Sequence, residues 1–159
     1  AAQSADPENT LIMMLKNDCK VAIALRPDLA SKHVEQVKKL TRQGFYDGIV
    51  FHRVIDGFMA QTGDPTGTGT GGSELPDIPA EFSNEPFVRG TVGMARSQEP
   101  NSGNSQFFIM FDNGSFLNGQ YTVFGQVTEG MECIDRIVRG EPPKNPDKIV
   151  SMKLMKDAQ

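Results

Sequence analysis

The chemistry-bearing residues of this chain concentrate in one stretch, Phe51-His52-Arg53-Val54-Ile55-Asp56-Gly57-Phe58-Met59-Ala60-Gln61-Thr62-Gly63-Asp64. An arginine, a phenylalanine, a methionine and a glutamine stand on either side of a glycine that lets the chain turn. A guanidinium and a carboxamide can donate hydrogen bonds beside apolar side chains, but neither is a nucleophile. Taken alone, the stretch also fits an ordinary strand–turn–strand with a solvated arginine.

Other chemistries find less support. Gly67-Thr68-Gly69-Thr70-Gly71-Gly72 satisfies the G-x-G-x-x-G pattern, but that fingerprint needs a strand before it and a helix directly after it. Asp64-Pro65 precedes it, and Ser73-Glu74-Leu75-Pro76 follows, so it reads as a surface loop. No G-x-S-x-G elbow is present, and His33 and His52 are the only histidines to serve as bases. His33 falls in a predicted helix and reads as a polar surface residue. His52 reads as a structural hydrogen-bonding residue. No clustered His, Cys or carboxylate pattern suggests a metal, and no cofactor is expected.

The elements that must position these residues are short. Leu11–Lys16 and Lys20–Leu25, around an Asn17-Asp18 turn, read as paired strands, the second with Val21, Ile23 and Leu25 alternating. Pro27 and Asp28 open a helix with Val34, Val37 and Leu40 at helical spacing, stopped by Gly44. A second amphipathic stretch, Glu132–Arg139, places Ile134, Ile137 and Val138 on one face. The remaining apolar segments (49–55, 91–95, 106–111, 122–127 and 149–155) are separated by Gly, Asn, Pro and Asp. Many short strands with only two helices predict a mainly β fold, a closed antiparallel barrel with a helix over each end. In 106–111, alternation sends Phe107, Ile109 and Phe111 inward and Gln106, Phe108 and Met110 outward. An outward Phe108 is either a stray exposed aromatic or part of a binding surface.

The bulk properties narrow the partners. The 159 residues, 38% hydrophobic and 23% charged, suit one globular domain, 9–159, behind a flexible tail, 1–8. A formal charge of −4 argues against a nucleic-acid surface, and the Lys38, Lys39 and Arg42 cluster reads as a solvated helix face. No apolar run is long enough to span a membrane. The start of the chain lacks a secretory signal pattern, so a cytoplasmic location is expected, with a periplasmic one after signal removal as the alternative. Cys19 and Cys133 form no spaced motif, and would pair only if the fold joined them.

Four further blocks complete the pattern: Gly93-Met94-Ala95-Arg96-Ser97, Asn104-Ser105-Gln106-Phe107-Phe108, Phe116-Leu117-Asn118-Gly119 and Val123-Phe124-Gly125. With the 51–64 stretch, they closely resemble the cyclophilin family of peptidyl-prolyl isomerases, in the family's order, from about Leu11 to Met155. The resemblance implies an eight-stranded antiparallel barrel capped by two helices, with a substrate groove on its outer wall. It implies cis–trans isomerisation of X-Pro bonds in unfolded or flexible chains, assisting folding, by a monomer. By motif position Arg53 is the catalytic arginine, a buried donor, with Gln61 beside it. Phe58, Met59, Phe108 and Leu117 match the pocket for the proline ring. Ala95, Arg96 and Gln106 fall where the backbone before the proline binds. Phe116 and Tyr121 complete the binding set, where the eukaryotic pattern commonly has Trp and His. Arg96 replaces a frequent Asn, Thr62 breaks a usual Gly-Gly, and Asp56 replaces a common Pro. Without the indole N–H, weak cyclosporin binding is expected. The alternative reading is a module that binds Pro-containing peptides, as a chaperone or scaffold, with incidental turnover.

Overall fold

A computed structural model of the chain describes residues 9–16, 19–67, 71–73, 75–83, 85–96, 99, 101–140 and 146–155. The 1–8 tail, the Asn17-Asp18 turn, Thr68 to Thr70 of the glycine-rich loop, and Ser97 lie outside them. Alternation of apolar side chains produces eight strands: β1 (Thr10–Leu15), β2 (Cys19–Leu25), β3 (Arg53–Ile55), β4 (Met59–Thr62), β5 (Thr91–Met94), β6 (Phe107–Met110), β7 (Val123–Glu129) and β8 (Ser151–Leu154). They form one antiparallel sheet in the order β3-β4-β6-β5-β7-β2-β1-β8. Leu11 and Met13 of β1, Val21 and Ile23 of β2, and Met152 and Leu154 of β8 all point into one sealed core. Each such side chain contributes about 1.5–3 kcal/mol by leaving water.

The expected closed barrel is instead a curled half-barrel. β3 and β8 end the ladder and form no strand pairing with each other among the described residues. Among the described residues the two ends meet through the segments that lead into them, at an isolated Val50–Lys148 bridge. Backbone hydrogen bonds join them there, from Phe51 N–H to the Asp147 carbonyl (2.8 Å), Gly48 N–H to the Ile149 carbonyl (2.6 Å) and Ile149 N–H to the Ile49 carbonyl (2.9 Å). Each end strand pairs with another strand along one edge only, β3 with β4 and β8 with β1.

α1 (Pro27–Arg42) begins, as expected, with proline at its start and ends before Gly44, whose φ of +73° suits glycine. It is kinked at Ala30, which leaves helical geometry (φ −152°, ψ 68°). Beyond the kink the helix needs a second N-terminal cap, and the loop residue Glu81 supplies it. Its carboxylate accepts the N–H groups of Lys32 (3.2 Å) and His33 (3.1 Å), and meets His33 Nδ1 at 2.6 Å. His33 is therefore buried, 1% exposed, and not the surface residue its helical context suggested. α2 is shorter than expected, Met131–Asp135. Ile134 and Ile137 are buried, but Val138 lies past its end and is exposed.

The fold also joins the two cysteines. Cys19, at the start of β2, and Cys133, in α2, form a disulfide across 114 residues, their Cα atoms 5.9 Å apart, within the range the bond requires.

Candidate active site

β6 faces two apolar clusters. Phe107, Ile109 and Phe111 enter the sealed core, where Phe107 sits edge-on between Tyr46 (5.4 Å) and Phe124 (6.2 Å). Phe108 and Met110 face the outer wall, as alternation predicts, but they are not exposed. They join Met59, Phe87, Leu117 and Val123 in a second buried cluster, with Phe58, Ala95 and Tyr121 packed against it. Phe108 is 5% exposed and stacks on Phe87, ring centroids 5.7 Å apart. Gly93 of β5 makes this stack possible: a Cβ there would come within 2.7 Å of Phe87 and 2.8 Å of Phe108. Neither Phe87 nor Gly93 was singled out from the sequence as shaping the site, because nothing local marks a ring that packs beneath another ring.

This outer cluster floors an open cavity of about 290 Å³ lined by Arg53, Phe58, Met59, Gln61, Ala95, Arg96, Phe108, Phe116, Leu117 and Tyr121. β3 and β4 place Arg53 directly opposite Gln61 in register. The β3–β4 turn delivers Phe58, and a short 3-10 turn, Ser115–Leu117, delivers Phe116 and Leu117. Phe116 is 68% exposed and tilts against Phe58 at 5.5 Å. Tyr121 stands edge-on to Phe108 at 5.6 Å, and the Arg96 guanidinium lies over its ring at 4.7 Å. Arg96 is held there by the Gln120 carbonyl, which accepts from Nε (3.2 Å) and Nη2 (2.7 Å).

Gln106 does not line this cavity but an adjoining one of about 440 Å³, which shares Gln61, Ala95 and Arg96 and adds Gly71, Ser73, Asp77, Ser102 and Asn104. Gln61 Nε2 donates to Gln106 Oε1 (2.9 Å), and Gln106 Nε2 donates to the Gly71 carbonyl (2.8 Å). The adjoining cavity is built around Asn104. It accepts the Ser73 N–H (2.8 Å) and hydroxyl, and donates to the Leu75 carbonyl (2.9 Å). No role for Asn104 could be read from its sequence neighbourhood, since every one of these partners is remote in sequence.

Arg53 differs from expectation in one respect: it is exposed rather than buried, at the edge of the cavity it lines. His52 differs as well. It is 6% exposed, but neither ring nitrogen has a hydrogen-bond partner among the described residues. Burial holds its pKa below the ordinary 6.5. The neighbouring Arg53 adds to that, while Asp64 and the Gln106 side chain oppose it. Among the described residues, no cluster of His, Cys, Asp or Glu suits a metal, and no helix is long and apolar enough to cross a membrane.

An apolar bowl with a guanidinium on its rim and a fixed carboxamide pair beside it can hold a small ring and donate hydrogen bonds to the amide attached to it. Comparison with known proteins agrees. Residues 10–154 match the family model for the cyclophilin-type peptidyl-prolyl cis-trans isomerases, and the chain belongs to that family. It is thus a peptidyl-prolyl cis-trans isomerase of the cyclophilin type. It is 60% identical, over 99% of its length and 88% of the relative's, to a probable peptidyl-prolyl cis-trans isomerase of Brucella suis. Peptidyl-prolyl cis-trans isomerase B of Bacillus subtilis is 41% identical over 82% of this chain and 92% of that one. Among solved structures, a cyclophilin from Hirschia baltica superposes with a TM-score of 0.87 at 32% identity, covering 96% of this chain and 76% of that one. A Cryptosporidium parvum cyclophilin-type isomerase, solved in the presence of the dipeptide Ala-Pro, superposes with a TM-score of 0.84 at 28% identity, covering 91% and 98%.

Proposed function

We propose that Arg53 catalyses the rotation, on a proline ring seated against Phe58, Met59, Phe108 and Leu117. The amide C–N bond has partial double-bond character, which sets a barrier of about 18–20 kcal/mol, and an uncatalysed X-Pro bond takes tens to hundreds of seconds to turn. In the twisted transition state resonance is lost, and the proline nitrogen regains a lone pair. No bond to carbon is made or broken. The bowl holds the ring while the preceding carbonyl swings, and removal of water from the planar, dipolar amide favours the less polar twisted form. The guanidinium donates to the exposed nitrogen lone pair or follows the rotating oxygen. Gln61, itself bonded to Gln106, holds the geometry of the guanidinium, while Ala95, Arg96 and Gln106 keep the backbone before the proline in place. A turnover near 10³ per second needs about 7 kcal/mol off the barrier, at roughly 1.36 kcal/mol per tenfold.

The observation that carries this reading is the register of β3 and β4, which sets Arg53 and Gln61 side by side on the rim of an apolar bowl. The substrate class is X-Pro segments of flexible or unfolded polypeptides, which fits a role in protein folding. Phe116 offers no N–H donor, so cyclosporin binds weakly. Of the two compartments, the Cys19–Cys133 disulfide supports the oxidising one, the periplasm, because such bonds rarely persist in a reducing cytosol. Titration of a short Ala-Pro peptide into isotope-labelled protein, followed by NMR, tests the site. Shifts should centre on Phe58, Met59, Ala95, Gln106 and Leu117. Shifts confined to another surface would refute the assignment.

A further inference from the structure

β3 ends the sheet and is only three residues long, yet it carries Arg53. β4 supports one of its edges. Along the other, Val54 and Gly140 exchange two backbone hydrogen bonds, each 2.8 Å. Whatever fixes Gly140 therefore helps to fix the line of β3.

The side chain beside it, Arg139, reaches four partners. Its Nη1 donates to the carbonyl oxygens of Asp135 (2.8 Å) and Ile137 (2.5 Å), which folds the segment leaving α2 back on itself. Its Nε donates to Asp56 in the β3–β4 turn (3.1 Å), and its guanidinium carbon lies 4.2 Å from the centroid of Phe111, just past β6. An ion pair to a carboxylate 82% exposed is weak by itself. The planar guanidinium adds what a point charge would not: two carbonyl bonds and an aromatic face at once.

We propose that Arg139 is a positioning residue for the isomerase reaction, fastening segment 136–140 to the β3–β4 hairpin so that Arg53 stays at the rim of the bowl. The proposal rests on the assignment of Arg53 above. It predicts that turnover falls further than binding, because the floor of the bowl also has backbone anchors in which Arg139 takes no part. Met59 pairs with Met110 of β6, and the Phe58 carbonyl accepts the Phe111 N–H at 2.8 Å. Loosening β3 displaces the guanidinium and leaves the ring pocket standing.

The test is NMR exchange on an Ala-Pro peptide with Arg139→Gln, Arg139→Lys and Arg53→Ala, together with hydrogen exchange of the Val54 amide. Arg139→Gln should lower the catalysed rate about tenfold, less than the roughly hundredfold that a full 1 Å misplacement can cost, at unchanged peptide affinity, with faster exchange at Val54. Arg139→Lys keeps the charge and the aliphatic stem, so it should fold, but it cannot reproduce all four contacts; about a threefold loss is expected. Wild-type turnover in the Lys variant overturns the proposal even if the Gln variant fails to fold. A loss of affinity in step with rate also overturns it, since that marks general damage to the bowl. Arg53→Ala separates the two readings. If it abolishes turnover while the Arg139 variants stay active, this inference alone fails; if it leaves turnover intact, the site assignment fails first.

Discussion

The two apolar clusters served by β6 are made of the same kinds of side chain, but they are organised for different ends. The inner cluster closes on itself: Phe107 and Ile109 touch only protein, in a core that also draws on α1, α2 and most of the strands. The outer one stops short of closure. Its floor of Phe108, Met110, Phe87 and Met59 is buried, while Phe116 at its mouth is 68% exposed and Arg53 stands on its rim. A sealed cluster spends its apolar surface on the fold, whereas an open one keeps part of it for a ligand. A single strand, by alternation, supplies both.

Substitutions can break this comparison in order of expected size. Phe107→Ala should cost about 3–5 kcal/mol of stability, read as a lower midpoint in urea unfolding, while the surviving folded fraction still binds peptide. Reduction of the Cys19–Cys133 disulfide should cost about 2–5 kcal/mol, with the loop-entropy limit near the top of that range. Turnover at 25 °C should change far less than stability, because the pair borders a pocket with Leu15, Lys16 and Ile137 and none of its residues lines the bowl. A parallel loss of turnover would show that the two regions are coupled.

The pH dependence is smaller and has a definite sign. Burial, its largest cause, lowers the pKa of His33 from 6.5, and outweighs the nearby Glu81, which favours the cation. His52 is lowered too, again chiefly by burial. In both cases the unfolded chain takes up the proton first. Stability is therefore fully present above about pH 6.5 and falls as pH drops through that value toward the folded-state pKa values. Burial raises the pKa of Glu81, but the hydrogen bonds from His33 and the backbone N–H groups of His33 and Lys32 together win and lower it from 4.5. A second loss thus follows in stronger acid, as the capping carboxylate is protonated. Unfolding midpoints between pH 7.5 and 5 should show the first decline, and His33→Gln should flatten it, leaving the part due to His52. Smallest in stability is Phe116→Ala, within about 0.5 kcal/mol as an exposed substitution. It should nevertheless weaken Ala-Pro peptide binding, measured by titration; unchanged affinity would remove Phe116 from the site.

What the sequence made legible was local. Alternation in 106–111 separated the two faces of β6, and the spacing of Arg53, Phe58 and Gln61 around Gly57 placed them on one hairpin. Contacts between distant segments were not legible. Glu81 caps α1 from 48 residues away, which turned His33 from an expected surface residue into a buried one. Phe87 backs Phe108, and Cys19 meets Cys133 across 114 residues. Closure of the barrel was inferred from the number of strands, but that number says nothing about whether the two end strands are brought alongside each other. The expectation of a buried Arg53 failed for a related reason: β3 lies at the end of the sheet, and its place there is set by pairings remote in sequence.

The central claim is that Arg53, above an apolar floor, turns the X-Pro bond. Protease-free NMR exchange on a short Ala-Pro peptide, comparing wild type with Arg53→Ala, tests it most directly. Fast cis–trans exchange with wild type, reduced by orders of magnitude in the variant at similar peptide affinity, is the predicted result. Near-wild-type exchange in Arg53→Ala would contradict it, and slow exchange with wild type alongside clear peptide binding would make the bowl a binding site for proline rather than a catalytic one.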